Sequence, residues 1–579
     1  MNECSTLKTD VCVIGGGISG ICVAVTAARK GVKVILVQDR NILGGNASSE
    51  IRMWIRGAGR HFPEYAEGGL VEELALDNMY YNPKMNYSLW DGVLYNKVIS
   101  EKNITLLLGT TCIDANAKDN KIESITVWEL ASYKKYKIEA DYYADCSGDC
   151  VLAEFIDVEY MQGRESVSEY KESYAQAVSD KKTMGNSCML QLRKSDGTDV
   201  HNPFPFERTD IQELCKNRIN FSEADYKIEN FWWLELGGDK DALKDALAIN
   251  QELLATNFAV YSEIMRNMEH SQEKWSLDWI GFLAGKRESR RYVGDYVLTA
   301  NDLENSTYFE DEIAYGGWSM DDHNPEGIYG KEPNVHYFLR KPYAIPYRCV
   351  YSKSIDNLFF AGRNISATHL ANSSTRVMGT CAMIGQAVGN ACAIAKKYNI
   401  PPRSVGAHIL ELQQALLTDG CYLLNTFRAS KLEPLLNKKD YRCVLQNRER
   451  NLPDKQEVTV LEKGQRISFE FSRRHIKNIR FVFDSDLPRS YTEDVALKLF
   501  PMLCYNGLDE MRMDLPPSLV KEYIWEVKVD GIWRKHTVSA NFQRLNQWDI
   551  DFEIEGIAFI GVETYGGERI NIFSIDVDY

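Results

Sequence analysis

Fourteen cysteines in 579 residues include no C-x-x-C pair. The closest spacing, Cys146 and Cys150, straddles a Ser-Gly-Asp turn and has no second pair to complete a four-ligand set, which argues against a metal site. Cys12, Cys22, Cys381 and Cys392 sit inside apolar runs, as small core residues of a reducing compartment do. Basic charge is in deficit: 67 Lys and Arg face 82 Asp and Glu, for a formal charge of −15. Nucleic acid and anionic membrane surfaces repel such a chain, so neither is an expected partner. Long apolar runs are missing as well. Val11 to Ala28 comes nearest, but four glycines between Gly15 and Gly20 interrupt it, and Glu3, Lys8 and Asp10 give it no basic flank. That pattern is not a signal peptide, and a cytoplasmic protein is expected. There is no internal repeat, no low-complexity linker and no second G-x-G-x-x-G. What is present is an ordinary globular composition, 44 % apolar and 26 % charged. The length suits roughly two to four domains.

Thr9 to Ile14 is a β-branched run that ends at Gly15-Gly16-Gly17-Ile18-Ser19-Gly20. Ile21 to Lys30 reads as a helix stopping at Gly31, and Val32 to Val37 as a second buried strand. Strand, glycine turn, helix and strand at this spacing make one βαβ unit. In such a unit Gly15 permits the tight turn, Gly17 lets the backbone approach a pyrophosphate, and Gly20 lets the helix pack on the strand. The helix N-terminus offers unpaired N–H groups and partial positive charge to phosphates. An acidic residue ordinarily meets the adenine ribose at the end of the second strand, but here the chain reads Gln38, Asp39, Arg40. Gln38 keeps hydrogen-bonding capacity, and Asp39 offers a carboxylate one residue later.

A second glycine pair follows in Gly44-Gly45-Asn46-Ala47-Ser48-Ser49-Glu50. Tyr142 to Asp149 is a strand running into Gly148, and Asn357 to Asn364 a strand ending in Gly362-Arg363-Asn364. Val377 to Lys397 then reads as a long helix with small residues at packing spacing. In this order the stretches resemble the FAD-dependent oxidoreductases of the glutathione-reductase/succinate-dehydrogenase-like flavoprotein superfamily, over roughly residues 8 to 425. Gly285 to Arg291, Ser366 to His369 and Ser373 to Gly379 add to the likeness.

The resemblance implies an α/β fold, a Rossmann-like FAD-binding domain with an inserted α+β substrate domain. It implies FAD and assigns residues to it. Gly15, Gly17, Ile18, Ser19 and Gly20 would hold the pyrophosphate, and Gln38, Asp39 and Arg40 would surround the adenosine. Gly44, Gly45, Asn46, Ala47 and Ser48 would line the diphosphate and ribityl chain, with the Cys112 backbone meeting adenine. Gly148, Gly362, Arg363 and Asn364 would close over the ribityl. The helix beginning near Arg376 to Met378 would aim its positive end at the flavin C2 carbonyl. The covalent-flavin branch carries a histidine after the glycine pair. Residues 46–50 hold none and His61 lies well beyond, so non-covalent FAD is implied.

These boundaries give an FAD-binding domain in two parts, 1–155 and 351–430, a substrate domain at 156–350, and a separate module at 431–579. The last shows short alternating runs, such as Arg466 to Phe471, Ile479 to Phe483 and Trp525 to Gly531, that argue an antiparallel β-sandwich. Its final stretch, Ile570 to Val577, resembles the closing strand of galactose-binding-like jelly rolls. Such a module binds sugar, or packs on its neighbour or on a second copy of the chain, so a homo-oligomer is one of the open readings.

Lys286 to Arg291 carries four cations and one anion. Arg287 and Arg290 in it read either as a clamp for a substrate carboxylate or as part of an inter-domain salt-bridge strand. Tyr315 to His323, with two glycines, a tryptophan, paired carboxylates and a histidine, reads as a shaped loop facing a ligand. His323 is a candidate base, and His369, seven residues after Gly362, competes with it. Glu50, Arg52 and Trp54 are further pocket candidates. The leading expectation is hydride transfer between flavin N5 and a small polar substrate, an alcohol or sugar-like CH–OH donor, with an electron acceptor that the sequence leaves unnamed. One alternative is reduction of an activated C=C bond in a carboxylate substrate, with Arg287 or Arg290 as acid. Another is a non-catalytic, FAD-stabilised glycan-binding protein.

Overall fold

The computed structural model describes residues 4–579 except 197–200, 225, 227–229, 269–273, 437–443, 446, 454, 493–501 and 503–511. β1 (Ser5–Ile14), α1 (Ile18–Arg29) and β2 (Val34–Val37) form the βαβ unit, with the strands parallel and Val11 opposite Val34. Every residue of β2 is buried, as the uninterrupted Val-Ile-Leu-Val run requires of a parallel strand covered on both faces. β3 (Ile104–Leu107) adds outside β2, and β6 (Lys134–Asp145) pairs with the other edge of β1, both in parallel. β4 (Thr110–Lys118) and β5 (Lys121–Glu129) close the sheet as an antiparallel pair on the first half of β6. The end of β6 pairs instead with Leu358–Phe360, which returns the chain to the sheet after the insertion.

α1 begins three residues before the expected Ile21 because Gly17 already serves as its N-cap. It is buried along nearly its whole length under the helix Met378–Tyr398. Their close approach depends on glycine: a Cβ on Gly385 would lie 2.3 Å from the Ser19 carbonyl oxygen. By length and composition Met378–Tyr398 could cross a membrane, but 89 % of its apolar window is buried inside the protein.

The inserted region has a core of its own, built on the helix Ala246–Met268 and the antiparallel pair Leu190–Lys194 and Trp275–Ile280. Buried apolar residues from Tyr292 to Tyr351 pack into the main core instead, except Ile328, which joins the core of the inserted region. Tyr315 to His323 departs from the loop expectation. Glu312–Gly316 pairs with Tyr343–Pro346 and Met320–His323 with Asn334–Tyr337, leaving only residues 317–319 as a connection. The partner strands lie further along the chain, so local composition gave no sign of them.

Among the described residues the C-terminal module forms a six-stranded antiparallel sheet. Its longest strands, Arg466–Phe483 and Leu545–Thr564, bend at bulges, and Phe481, Phe483, Tyr523 and Phe559 cluster in its core. The module is tied to residues 64–72 of the N-terminal part by buried arginines. Arg489 pairs with Glu72 at 2.6 Å, and Arg450 donates to the Glu64 and Ala66 carbonyls at 3.1 Å.

Candidate active site

A cavity of about 1290 Å³ opens at the carboxyl ends of β1 and β2 and continues into the inserted region. Drug-sized ligands occupy pockets of roughly 300–1,000 Å³, so this space exceeds the need of one such molecule. Gly15, Gly17, Gly44, Gly45, Gly148 and Gly362 all line it, which brings the four glycine-marked segments together.

The glycines of the turn differ in what surrounds them. Gly15 has φ +101°, and a Cβ there would lie 2.6 Å from the Cys146 carbonyl oxygen. A Cβ on Gly20 would fall 1.9 Å from the Gly15 carbonyl oxygen, so Gly20 holds helix to turn and does not face the cavity. At Gly17 a Cβ would meet only Gly45 Cα, at 3.9 Å, and would otherwise project into open space. α1 has no side-chain cap, which leaves its first N–H groups for a ligand. The buried Ser19 hydroxyl lines the cavity and has no hydrogen-bond partner among the described residues. These features fit a pyrophosphate, and with it the FAD that the sequence resemblance implies.

Gln38 is spent on the backbone. Its Oε1 accepts from the Gly16 N–H at 2.7 Å, and its Nε2 donates to the Ile42 carbonyl at 3.2 Å. Asp39, Arg40 and Glu50 are then the charged side chains at that end of the cavity, with Arg40 paired to Glu50 at 3.0 Å. Cys112 lines the wall beside Thr110 and Thr111, its thiol pushed up to about 12 by burial. Arg363 and Lys286 each pair with Asp149 at 2.7 Å. Burial alone would raise the Asp149 carboxyl; the two cations outweigh it and hold it far below its usual range. Ile18, Asn46, Arg376 and Met378 also line the cavity. Ala47, Ser48 and Asn364 do not: Trp90 Nε1 donates to the Ala47 carbonyl, Ser48 Oγ to the Gly45 carbonyl, and Asn364 Nδ2 to the Asp145 carbonyl.

The far end of the cavity is built by the strand Met320–His323 against Asn334–Tyr337. Asp321 stands opposite His336, and His323 opposite Asn334. His323 Nδ1 lies 2.6 Å from Glu235 Oε2, and its Nε2 lies 3.3 Å from Asp321 Oδ2. Glu235 is buried behind the wall, 3.5 Å from Arg287. Burial would raise the Glu235 carboxyl, but Arg287 and His323 lower it overall. Asp321 is held far below the usual range in the same way, by His323 and then Arg376 against burial. Arg376 donates to the Asp321 carbonyl at 3.1 Å, and Asn334 donates to its carboxylate. One imidazole therefore sits between two ionised carboxylates at the wall of the cavity.

The other sequence candidates separate by position. Arg287 lines the cavity, but its guanidinium donates to the Gly185 and Trp232 carbonyls and to Ser187 Oγ. Arg290 lies outside the wall, paired with Glu154 and stacked 5.0 Å over Tyr160. His369 also lies outside it, fixed between Glu288 at 2.8 Å and Asp322 at 2.9 Å. Glu50 and Trp54 line the cavity; Arg52 is behind it, 4.2 Å over Trp279.

The sequence alone does not single out Glu235, Asn334, His336 or the group Arg56, Arg60, His61. Glu235 is 88 residues from His323 and nothing near it signals a site. The Trp54-to-His61 stretch did carry a signal, two arginines and a histidine around Gly57-Ala58-Gly59 just after the glycine pair.

The model of the family described as FAD dependent oxidoreductase matches residues 10–416. No curated protein sequence matches the chain. Among solved structures, similar ones include a geranylgeranyl bacteriochlorophyll reductase-like protein from Thermoplasma acidophilum, at 10% identity over 72% of this chain and 86% of that one, TM-score 0.31. The myxobacterial chondrochloren halogenase matches at 11% identity over 70% and 79%, TM-score 0.32. A p-nitrophenol 4-monooxygenase from Pseudomonas putida matches at 9% over 71% and 85%, TM-score 0.31. The family match covers most of the chain, and the glycine cradle it contains fits the cofactor: this chain belongs to the FAD-dependent oxidoreductase family and is an FAD-dependent oxidoreductase.

Proposed function

We propose that the enzyme oxidises the CH–OH group of a small polar substrate to a carbonyl, with His323 as the base. The observation that carries this reading is the 2.6 Å contact from buried Glu235 to His323 Nδ1, in a histidine that lines the cavity. Glu235 holds the proton on Nδ1, so Nε2 is the accepting nitrogen, and the substrate hydroxyl takes the place of its 3.3 Å contact with Asp321 Oδ2. Bound FAD supplies the two-electron acceptor for the hydride that leaves the substrate carbon. His323 Nε2 takes the hydroxyl proton as the C=O bond forms. Glu235 and Asp321 stabilise the imidazolium, and Arg287 and Arg376 keep those carboxylates ionised.

Reduction of an activated C=C bond has less support. It needs an arginine donor at the substrate, yet Arg287 is committed to protein acceptors and Arg290 lies outside the cavity. FAD is held without a covalent bond on this reading. Residues 44–50 contain no histidine, cysteine or tyrosine, and burial pushes up the three lining thiols, Cys112 and Cys381 to about 12 and Cys146 well above its ordinary value.

Anaerobic mixing of the holoenzyme with a panel of polyols, sugars and sugar acids tests the reaction. At least one is expected to bleach the flavin and yield the matching carbonyl compound. If all fail while an artificial reductant bleaches it, the CH–OH reading is wrong.

A further inference from the structure

Beyond Asp321 the wall of the cavity is aromatic and cationic. Arg56 lies 4.4 Å over the Trp54 ring and 5.8 Å from that of Trp318. His61 stands 5.1 Å from Trp318 and 5.5 Å from Phe338, whose ring is largely exposed at the rim. His336 stacks on Phe338 at 5.7 Å and lies 3.6 Å from Asp321. This line of contacts joins the base, His323, to the arginines.

Charge at this end is out of balance. Four guanidiniums, those of Arg56, Arg60, Arg287 and Arg376, line it with one carboxylate, Asp321. Arg376 pairs with Asp321, and Arg287 with Glu235 behind it. Arg60, exposed at the cavity, has no ion pair among the described residues, and Arg56 lines the cavity near it. The imbalance stands out in a chain whose formal charge is −15. Burial, and then Arg60, hold the Arg56 guanidinium well below its ordinary range, so an anion placed there is favoured.

The same loop is held rigidly. Gly379 donates to the Arg56 carbonyl at 2.7 Å, and the Ala58 N–H donates to buried Glu67. Tyr315 Oη donates to the Tyr65 carbonyl at 3.0 Å, and Arg450 of the C-terminal module donates to the Glu64 carbonyl. Indole faces pack on the C–H faces of a saturated ring, and guanidiniums grip carboxylates with directed N–H pairs. Trp318 Nε1 and His61 Nε2 are buried with no hydrogen-bond partner among the described residues, which suits a ligand rich in hydroxyls.

We infer that the substrate is a sugar acid, its carboxylate held at Arg56 and Arg60, its ring against Trp54 and Trp318, and the hydroxyl to be oxidised beside His323. This inference rests on the CH–OH reading and adds the substrate class to it.

The test compares matched pairs on the holoenzyme: glucuronate with glucose, galacturonate with galactose, and mannuronate with mannose. Binding is followed by perturbation of the flavin spectrum, and turnover by anaerobic bleaching. Each acid is expected to bind or react at least ~10-fold better than its neutral partner, a loss of ~1.4 kcal/mol on removing the charge. Arg60→Met and Arg56→Met are each expected to abolish that preference while retaining FAD and a wild-type melting temperature. Arg60 is exposed, so its variant keeps the test informative even if Arg56→Met fails to fold. Equal response to acids and neutral partners, no saturable binding of any acid, or a preference unchanged in Arg60→Met overturns the sugar-acid assignment. Neutral sugars that bleach the flavin through His323 as well as acids do would sink this inference and leave the CH–OH reading standing. Acids that bind through Arg56 and Arg60 without ever bleaching the flavin would sink the reaction reading and leave the anion site standing.

Discussion

Glu235 and His323 meet at 2.6 Å although 88 residues separate them, because Glu235–Leu236 lies behind the cavity wall to which Met320–His323 contributes Asp321 and His323. Glu235→Gln keeps the shape but gives Nδ1 an amide in place of a carboxylate, and it no longer offsets charge on the imidazole. It should slow flavin reduction ~10- to 100-fold, with the pH profile displaced to lower pH, because an imidazole without its carboxylate partner gives up its proton more readily and its imidazolium is less stabilised as the substrate proton arrives. A purely packing role for Glu235 would leave the pH profile where it was.

Gly17 and Gly20 should fail in different ways. Gly17→Ala places its methyl in open space beside Gly45, so the apoprotein melts as wild type while FAD content falls at least ~10-fold. Gly20→Ala drives its methyl into the Gly15 carbonyl and should lower the melting temperature by several degrees, a cost of about 1–3 kcal/mol. Differential scanning fluorimetry with flavin quantitation separates the two. Equal behaviour of the variants contradicts this division of roles.

The βαβ unit and the return strand were legible in the sequence because glycine there answers local geometry: Gly15 needs φ +101°, and Gly20 touches the turn beneath it. The far end was only half legible. His323 and its neighbouring carboxylates stood out as chemistry, but their strand was hidden because its partner begins at Asn334. Gln38 looked like a ribose ligand, since sequence alone does not show that the Gly16 N–H occupies its Oε1. His369 looks equivalent to His323 in sequence, and each is held between two carboxylates; their positions relative to the cavity distinguish them, since only His323 lines it.

Glu449 gives the C-terminal module an acid-sensitive link. Its carboxylate accepts from Arg428 and Arg480 at 2.8 Å, and these partners outweigh burial to bring it from 4.5 down to about 2. The folded-state value is depressed, so the stabilisation is complete above roughly pH 4.5 and is lost as pH falls through about 2. That shift is roughly 3 kcal/mol. Glu449→Gln should melt well below wild type at pH 7, with the gap narrowing by pH 3. A gap of equal size at both pH values contradicts the ion-pair account.

FAD should leave the protein intact on denaturation. Acid precipitation of the yellow holoenzyme is expected to put all flavin in the supernatant. Flavin that stays with the pellet after washing means a covalent bond, and the reading of residues 44–50 and the buried thiols is then wrong.

The central claim, that His323 is the base of a CH–OH oxidation, is tested most directly by the anaerobic reductive half-reaction of His323→Asn. With FAD content matched to wild type and a substrate found in the panel, the rate of flavin bleaching should fall at least ~100-fold near neutral pH. His369→Asn, altered outside the cavity, should change it far less. Bleaching of His323→Asn at the wild-type rate would contradict the account.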